Sequence, residues 1–290
     1  KVSGYIGECR ECGIALLPPD INRSADRFTV EEGGIRFGLV AIKNIGRGFI
    51  QAVMRERETG GDFTSLYDFC SRMNGSEMNK RAVENLIRSG AFDSMGARRS
   101  QLIKVYESVM DSVAAQQREN VEGQMDFFSM AADNDEKSNS VKEITLPDIP
   151  EYTPEELMTM EKATTGLYLS GHPMDHYRDA VRKLHAPTIV SIIEDFSREN
   201  GPERFADGQR VTTAGVITSS KTKTTKNNSL MAYVMVEDDT ASMELLCFSR
   251  VLETCGAYMK ENQAVVVKGR LSVRDEKAPQ IMCDSIYPLS

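Results

Sequence analysis

The sequence predicts an α+β multidomain protein, in which an all-α region precedes a five-stranded β-barrel. Apolar residues recur at helical spacing through residues 33–120 and alternate with a period of two from Arg210 onward. A polar stretch without periodicity, at residues 131–145, predicts a flexible linker between the two regions. With 290 residues the chain has room for several domains, and we expect their ranges to be 1–32, 33–120, 121–150, 151–207 and 208–290.

The charge distribution permits a nucleic-acid partner, although the net charge is −8. Residues 121–163 hold 11 acidic and 3 basic side chains, whereas residues 33–120 hold 13 basic and 10 acidic ones. Residues 208–290 are also slightly basic, with 10 basic and 9 acidic side chains. Because local charge decides contact with phosphate, both folded regions remain candidates for DNA binding.

Several other classes of protein are disfavoured. No run approaches ~18 apolar residues, so we expect no membrane partner. The first residues lack the apolar core of a signal peptide, and we interpret the chain as a cytoplasmic fragment of a longer protein. The Cys9-x-x-Cys12 pair has metal-ligand spacing but no second pair nearby, so we expect reduced thiols and no bound metal.

The helical region begins with a glycine-containing hairpin. Residues 39–53 predict a helix that ends near Ile42, a tight turn with Gly46 and Gly48, and a second helix. Glycines permit positive φ and close approach of the backbone, and the first amides of a helix can hold a phosphate. The pattern resembles a helix-hairpin-helix, and the residues that we expect to contact duplex DNA are Lys43, Asn44, Gly46, Arg47 and Gly48. An ordinary helix corner with a glycine turn is the alternative.

A second, weaker copy of the motif follows. Residues 80–89 predict a helix, residues 90–93 a turn, and Arg98 the start of another helix. The two copies together resemble a tandem helix-hairpin-helix domain, although a hairpin that serves only for packing explains the second copy equally well. Further along, Thr153, Pro154 and Glu156 predict a helix start with a capping box.

The last region has the element order of an OB-fold. Five strands are predicted at residues 211–220, 230–237, 242–248, 264–273 and 280–287, with a helix at 250–260 after the third. The residues that we expect to contact single-stranded DNA are Lys221, Lys223 and Lys226 on the loop after the first strand, with Tyr233 and Phe248 stacking on bases. The lysines could equally mark a solvated hairpin tip, and the two aromatic residues could belong to the core.

Longer phrases resemble one known family. These are LLPPDIN at residues 16–22, FGLVAIKNIG at 37–46, SLYDFC at 65–70, LIRSGAFD at 86–93 and TGLYLSGHP at 165–173. In this order they resemble successive segments of bacterial DNA polymerase III alpha subunits. The resemblance implies that residues 1–32 are the end of a fingers domain and that the rest is a C-terminal part that handles duplex product and single-stranded template. It also implies a nucleotidyltransferase whose Mg²⁺-binding carboxylates lie outside this chain, so the fragment would hold neither catalytic residues nor a cofactor.

A short linear motif follows the helical region. Two adjacent aromatic residues at the edge of an acidic linker need a partner, and the segment resembles the pentapeptide that binds the bacterial sliding clamp, with Phe in place of the usual Leu. Its residues are Gln124, Met125, Asp126, Phe127 and Phe128. The alternative is that the two rings pack on the helical domain. Other replisome subunits are further expected partners.

Two other functions fit parts of the sequence. Helix-hairpin-helix and OB modules also occur together in non-enzymatic DNA repair and recombination accessory proteins. An RNA-binding, anticodon-type OB module would account for residues 208–290 but not for residues 33–120.

Overall fold

The computed structural model describes residues 9, 12–75, 78–127, 145–225, 227–274 and 278–290, the side chains of residues 119–127 excepted. These residues divide into two compact units, one of them Gly13–Ser170 and the other containing Gly171–Ser290. Among them, no helix is long and apolar enough to cross a membrane.

The first unit opens with a small sheet of three strands, β1 (Ala15–Leu17), β2 (Thr29–Glu31) and β3 (Gly34–Arg36), in the order β1-β3-β2. The prediction of helical structure from residue 33 onward is therefore wrong for β3. The cause is a two-residue turn in which Gly33 takes a φ of 96°, so that Glu31 pairs with Gly34. Arg36 then holds the hairpin closed through an ion pair of 2.7 Å with Glu31.

Five helices follow in the first unit: α1 (Arg47–Gly60), α2 (Leu66–Met73), α3 (Lys80–Arg88), α4 (Arg99–Phe127) and α5 (Pro154–Thr165). Buried aromatic rings pack edge to face in the core of this unit. The ring centroid of Phe69 lies 5.0 Å from that of Phe63 and 5.1 Å from that of Phe92. The predicted capping box at the start of α5 is present, since the side chains of Thr153 and Glu156 both bond to the backbone.

Two element boundaries differ from the predicted domain ranges. Helix α4 continues past residue 120 to Phe127, because the sequence offers one glycine and no proline to interrupt it. Helix α5 lies in the range 151–207, which we expected to be a helical connector between the two folded regions, but it packs within the first unit, and Leu167 and Leu169 join the same core. The connector is thus divided between the two units at residue 170.

The second unit is a closed five-stranded barrel with helices before and within it. Its elements are α6 (Arg178–Leu184), α7 (Ile189–Phe196), β4 (Arg210–Thr224), β5 (Leu230–Glu237), β6 (Ser242–Phe248), α8 (Ser249–Cys255), β7 (Ala264–Ser272) and β8 (Gln280–Pro288). The strand order β4-β5-β6-β8-β7 and the helix after the third strand confirm the predicted OB-fold. A short 3₁₀ helix at Pro173–Tyr177 and the following α6 cover part of the outer surface of the barrel near Ala214 and Val266.

Helix α7 contributes to the interior of the barrel. Ile189 and Ile192 are fully buried among the core residues of the strands. The start of the helix is fixed by Asp238, whose carboxylate accepts a hydrogen bond of 2.7 Å from the Ile189 N–H and another from the Thr240 N–H. The interior of the barrel is therefore filled by a packed core of apolar side chains.

Candidate nucleic-acid interfaces

The first hairpin lies on the surface, at the start of α1. All five residues that we expected to contact duplex DNA are exposed: Lys43, Asn44, Gly46, Arg47 and Gly48. The conformational role that we gave the glycines is wrong, however. Asn44 takes the left-handed conformation with a φ of 61°, whereas Gly46 has a φ of −75° and Gly48 lies in the first turn of α1. The helix expected before the hairpin is a single 3₁₀ turn at Leu39–Ala41.

The start of α1 presents backbone amides that no side chain caps. Gly46 is the N-cap residue and has no side-chain oxygen to accept a hydrogen bond from the first turn. Gly48 likewise adds no side chain, while Arg47 adds an exposed positive charge. Uncapped amides, the positive end of the helix dipole and a neighbouring guanidinium together form a place that suits a phosphate.

Lys43 has a structural role beside this place. Its Nζ donates a hydrogen bond of 2.7 Å to the Ala163 carbonyl, and its N–H donates one of 2.9 Å to the Thr164 carbonyl. Its own carbonyl accepts a hydrogen bond of 2.6 Å from the Asn85 side chain. These bonds attach the hairpin to the C-terminus of α5 and to α3, so Lys43 positions the hairpin whether or not it also contacts phosphate.

The second hairpin, between α3 and α4, is part of the core. Ala91 and Phe92 are fully buried, and the Ala91 carbonyl accepts a hydrogen bond of 2.8 Å from the Ile21 N–H. Arg99 lies beneath the turn with only 7% of its side chain exposed and pairs with Asp93 at 2.7 Å and Glu161 at 3.1 Å. This copy therefore has the geometry of the packing alternative.

The barrel carries its candidate residues on strands rather than on a loop. Strand β4 extends to Thr224, so Lys221 and Lys223 are paired with β5, opposite Tyr233 and Met231. The loop that we predicted after residue 220 is correspondingly shorter, because β4 stays paired with β5 as far as Thr224. Lys226 lies outside the described residues.

Tyr233 and Phe248 lie on the outer face of the barrel. Ala232 and Val234, on either side of Tyr233, are buried in the core, so Tyr233 projects outward. Phe248 is 43% exposed and pairs across the strands with Met231. Buried and half-buried residues alternate strictly along β5. The corresponding signal in the sequence is that the small Ala232, Val234 and Val236, which are buried, alternate with larger side chains.

The neighbours of Tyr233 were missed by reasoning from the sequence. Leu246 on β6 lies directly opposite Tyr233, and Met282 on β8 lies opposite Leu246. Together with Lys221 they make a band in which an aromatic ring and two apolar side chains, the buried Leu246 and the half-buried Met282, follow a cation across four strands. This combination suits bases that stack and phosphates that need positive charge.

The remaining predicted residues have no described side chains. Gln124, Met125, Asp126 and Phe127 form the last turn of α4 by their backbone, and Phe128 lies outside the described residues. As for metals, the described part of the chain contains no group of three or more His, Cys, Asp or Glu residues that could hold an ion.

Two family matches cover the two regions described above. Residues 13–102 match a helix-hairpin-helix motif, and residues 211–289 match an OB-fold nucleic acid binding domain. The first match includes both hairpins and the three-stranded sheet before them. The second match covers the barrel from β4 to the end of β8.

Curated relatives match nearly the whole chain. The DNA polymerase III subunit alpha of Vibrio cholerae is 31% identical over 95% of the chain, that of Saccharopolyspora erythraea is 34% identical over 95%, and that of Mycobacterium tuberculosis H37Rv is 31% identical over 99%. The chain spans 23%, 22% and 24% of these proteins, respectively. Over nearly its whole length the chain is thus similar to one segment of DNA polymerase III alpha subunits, and it holds in order a helix-hairpin-helix motif and an OB-fold nucleic acid binding domain.

Proposed function

We propose that this chain is the DNA-binding part of a bacterial replicative polymerase, with the outer face of the barrel as its site for single-stranded DNA. The observation that carries this proposal is the juxtaposition of the exposed Lys221 and the half-buried Tyr233 on two paired strands, with the buried Leu246 opposite the ring on a third. The same strands carry a second cation and a second ring two residues further along, since Lys223 and Phe248, both exposed, flank Met231 across the paired strands. Stacking and phosphate contact accept any base, as template handling requires.

The hairpin before α1 is the proposed contact with duplex product. Its amides and Arg47 would hold one phosphate of the backbone without reading the bases. The bonds from Lys43 to α5 fix the position of those amides. The buried second hairpin would support this contact from within the domain rather than touch DNA.

The single-strand site is tested with the combined variant Lys221→Ala, Lys223→Ala and Tyr233→Ala. Each lost phosphate contact lowers the log–log salt slope by roughly 0.7, and a lost stacked base costs about 1–3 kcal/mol. We therefore expect weaker binding of oligo-dT by fluorescence anisotropy and a slope smaller by about 1.4. Lys260→Ala, an exposed cation of the same unit, is the matched control. Unchanged affinity and slope in the combined variant would contradict the proposal.

We further propose that residues 124–128 bind the bacterial sliding clamp. A peptide of residues 122–130 should bind purified bacterial sliding clamp with a micromolar dissociation constant, about −8 kcal/mol, since each buried large apolar side chain contributes roughly 1.5–3 kcal/mol before ordering costs. Gln124→Ala with Phe128→Ala should abolish clamp binding of the whole chain and leave its thermal stability and DNA affinity unchanged. Retained clamp binding, or loss of stability, would favour packing of the rings on the helical domain.

We assign DNA synthesis to the longer parent protein and not to this segment. Template-directed synthesis with Mg²⁺ would reside in parts of the relatives beyond the matched segment, and other replisome subunits would be partners of that whole protein. A non-enzymatic repair or recombination accessory protein is the competing function for the two DNA modules. Primer extension by the purified chain alone, free of contaminating polymerase, would contradict our assignment of catalysis to other parts of the parent.

A further inference from the structure

One continuous row of side chains runs round the outside of the barrel, across all five strands. Strand pairing sets its members side by side, in the order Lys221, Tyr233, Leu246, Met282, Arg270 and Arg210. Directly paired residues project from the same face of a sheet. Their sequence neighbours Val234, Leu245, Ile281, Leu271 and Val211 lie in the core, so the row lies on the outer face of the sheet. Within the row Leu246 is only 5% exposed, whereas Tyr233 and Met282 are half-buried.

The row is positively charged at both ends and uncharged in the middle. Lys221 is exposed at one end, and Arg270 and Arg210 are exposed at the other. Neighbouring strands are about 4.8 Å apart, so the four steps from Lys221 to Arg270 span roughly 19 Å of curved surface. A path of that length suits several nucleotides, within the range of about 4–16 that one OB-fold occupies.

The basic end of the row has an unfavourable arrangement that an anion would relieve. Arg210 lies directly opposite Arg270 on the neighbouring strand, and like charges in that position destabilise a sheet. A carboxylate oxygen of Asp284 lies 3.7 Å from a guanidinium nitrogen of Arg270, and both side chains of this ion pair are about half exposed. A solvent-exposed ion pair of this kind contributes little to stability, so a phosphate can replace the carboxylate.

We propose that the path of the single strand does not end at β6 but continues over Met282 to a second phosphate anchor formed by Arg270 and Arg210. This inference rests on the proposed function of the barrel face and adds the direction and extent of the bound strand. The bases would stack on Tyr233 and Met282, which lie on either side of the buried Leu246, and the phosphates would be held at the two basic ends. Asp284 weakens the second anchor by competing for Arg270.

The test compares two lengths of oligo-dT on the full 290-residue chain. The double variant Arg210→Ala with Arg270→Ala should weaken binding of an oligonucleotide of about twelve nucleotides. It should also reduce the slope of log affinity against log salt concentration by about 1.4. An oligonucleotide of about five residues should keep its affinity, because Lys221 and Tyr233 suffice to hold it. Asp284→Asn should strengthen binding of the longer oligonucleotide. Lys260→Ala is the control for loss of an exposed charge, and thermal unfolding checks that each variant folds.

The outcomes separate this inference from the function on which it rests. If Lys221→Ala with Tyr233→Ala weakens both lengths while the double arginine variant binds the longer one normally, the second anchor is wrong and the barrel face remains the site. If the double arginine variant weakens both lengths equally, the arginines act without a defined path and the inference is also wrong. If neither variant changes binding of either length, the proposed function itself fails.

Discussion

At the scale of single residues, the hairpin before α1 shows what a glycine-rich motif in a sequence does and does not determine. The motif correctly indicated an exposed turn before a helix, but the left-handed position falls on Asn44. Asparagine is one of the few non-glycine residues that adopt this conformation readily. The glycines were assigned the conformational role because their type permits it, whereas in the structure their contribution is the absence of a side chain at the start of α1.

This distinction leads to a prediction for Gly46→Ser. Serine is a preferred N-cap residue, and its hydroxyl would accept the amide hydrogen bonds that we propose for phosphate. The helix should therefore become more stable by a few tenths of a kcal/mol, while affinity for duplex DNA falls. Thermal unfolding and anisotropy with a labelled duplex measure the two effects. Binding that is unchanged or stronger would show that these amides do not contact DNA; single-strand affinity serves as the internal control.

At the scale of elements, alternation and capping patterns predicted most of the structure, and long-range contacts decided the rest. The barrel strands and the helix after the third were found because a period of two is visible along the chain. The small sheet at residues 15–36 was missed because three-residue strands show no period. The attachment of α5 to the first unit was missed because its partners, Lys43 and Arg99, are distant in sequence.

Helix α4 shows such a long-range contact at its start. Glu151 accepts hydrogen bonds from the N–H groups of Arg99 at 2.8 Å and Ser100 at 3.0 Å, so a carboxylate from a later segment caps the helix. Partial burial raises the pKa of Glu151, but hydrogen bonds from Ser100, Tyr152 and Arg99 more than offset it, and the pKa lies below the usual value. The ionised carboxylate is thus stabilised by folding.

We predict that Glu151→Gln lowers the free energy of unfolding by about 1 kcal/mol at neutral pH, as loss of a helix cap does. Because the folded pKa is lowered, this contribution is present above the pKa of an ordinary glutamate and is lost as the pH falls through the folded value. Urea unfolding at a series of pH values should show the two proteins converging in acid. Asp148→Asn, a fully exposed change nearby, is the control; a difference that persists unchanged into acid would contradict the capping role.

At the scale of the whole molecule, the division of the chain at residue 170 differs from the composition-based boundaries at 150 and 207. Composition changes most sharply in the acidic linker, but stability depends on which side chains complete a buried network. Glu161 is 1% exposed in its side chain and pairs with Arg99, and it also accepts hydrogen bonds from the Leu169 and Ser170 N–H groups. The residues up to 170 are therefore needed to satisfy a charge buried in the first unit.

A pair of truncated chains tests this division. Residues 1–170 should unfold cooperatively, whereas residues 1–150 lack Glu151 and Glu161 and leave Arg99 without its buried partner. Removing one member of a buried ion pair costs about 3–5 kcal/mol, so the shorter chain should be less stable by at least that amount in urea unfolding. Glu161→Ala in the longer chain is the matched variant, because it removes the buried carboxylate and keeps α5; it should account for much of the loss. The boundary at 150 would be the better one if both truncated chains unfolded at the same urea concentration, since that result would mean that α5 and its carboxylate add nothing to the folded helical unit.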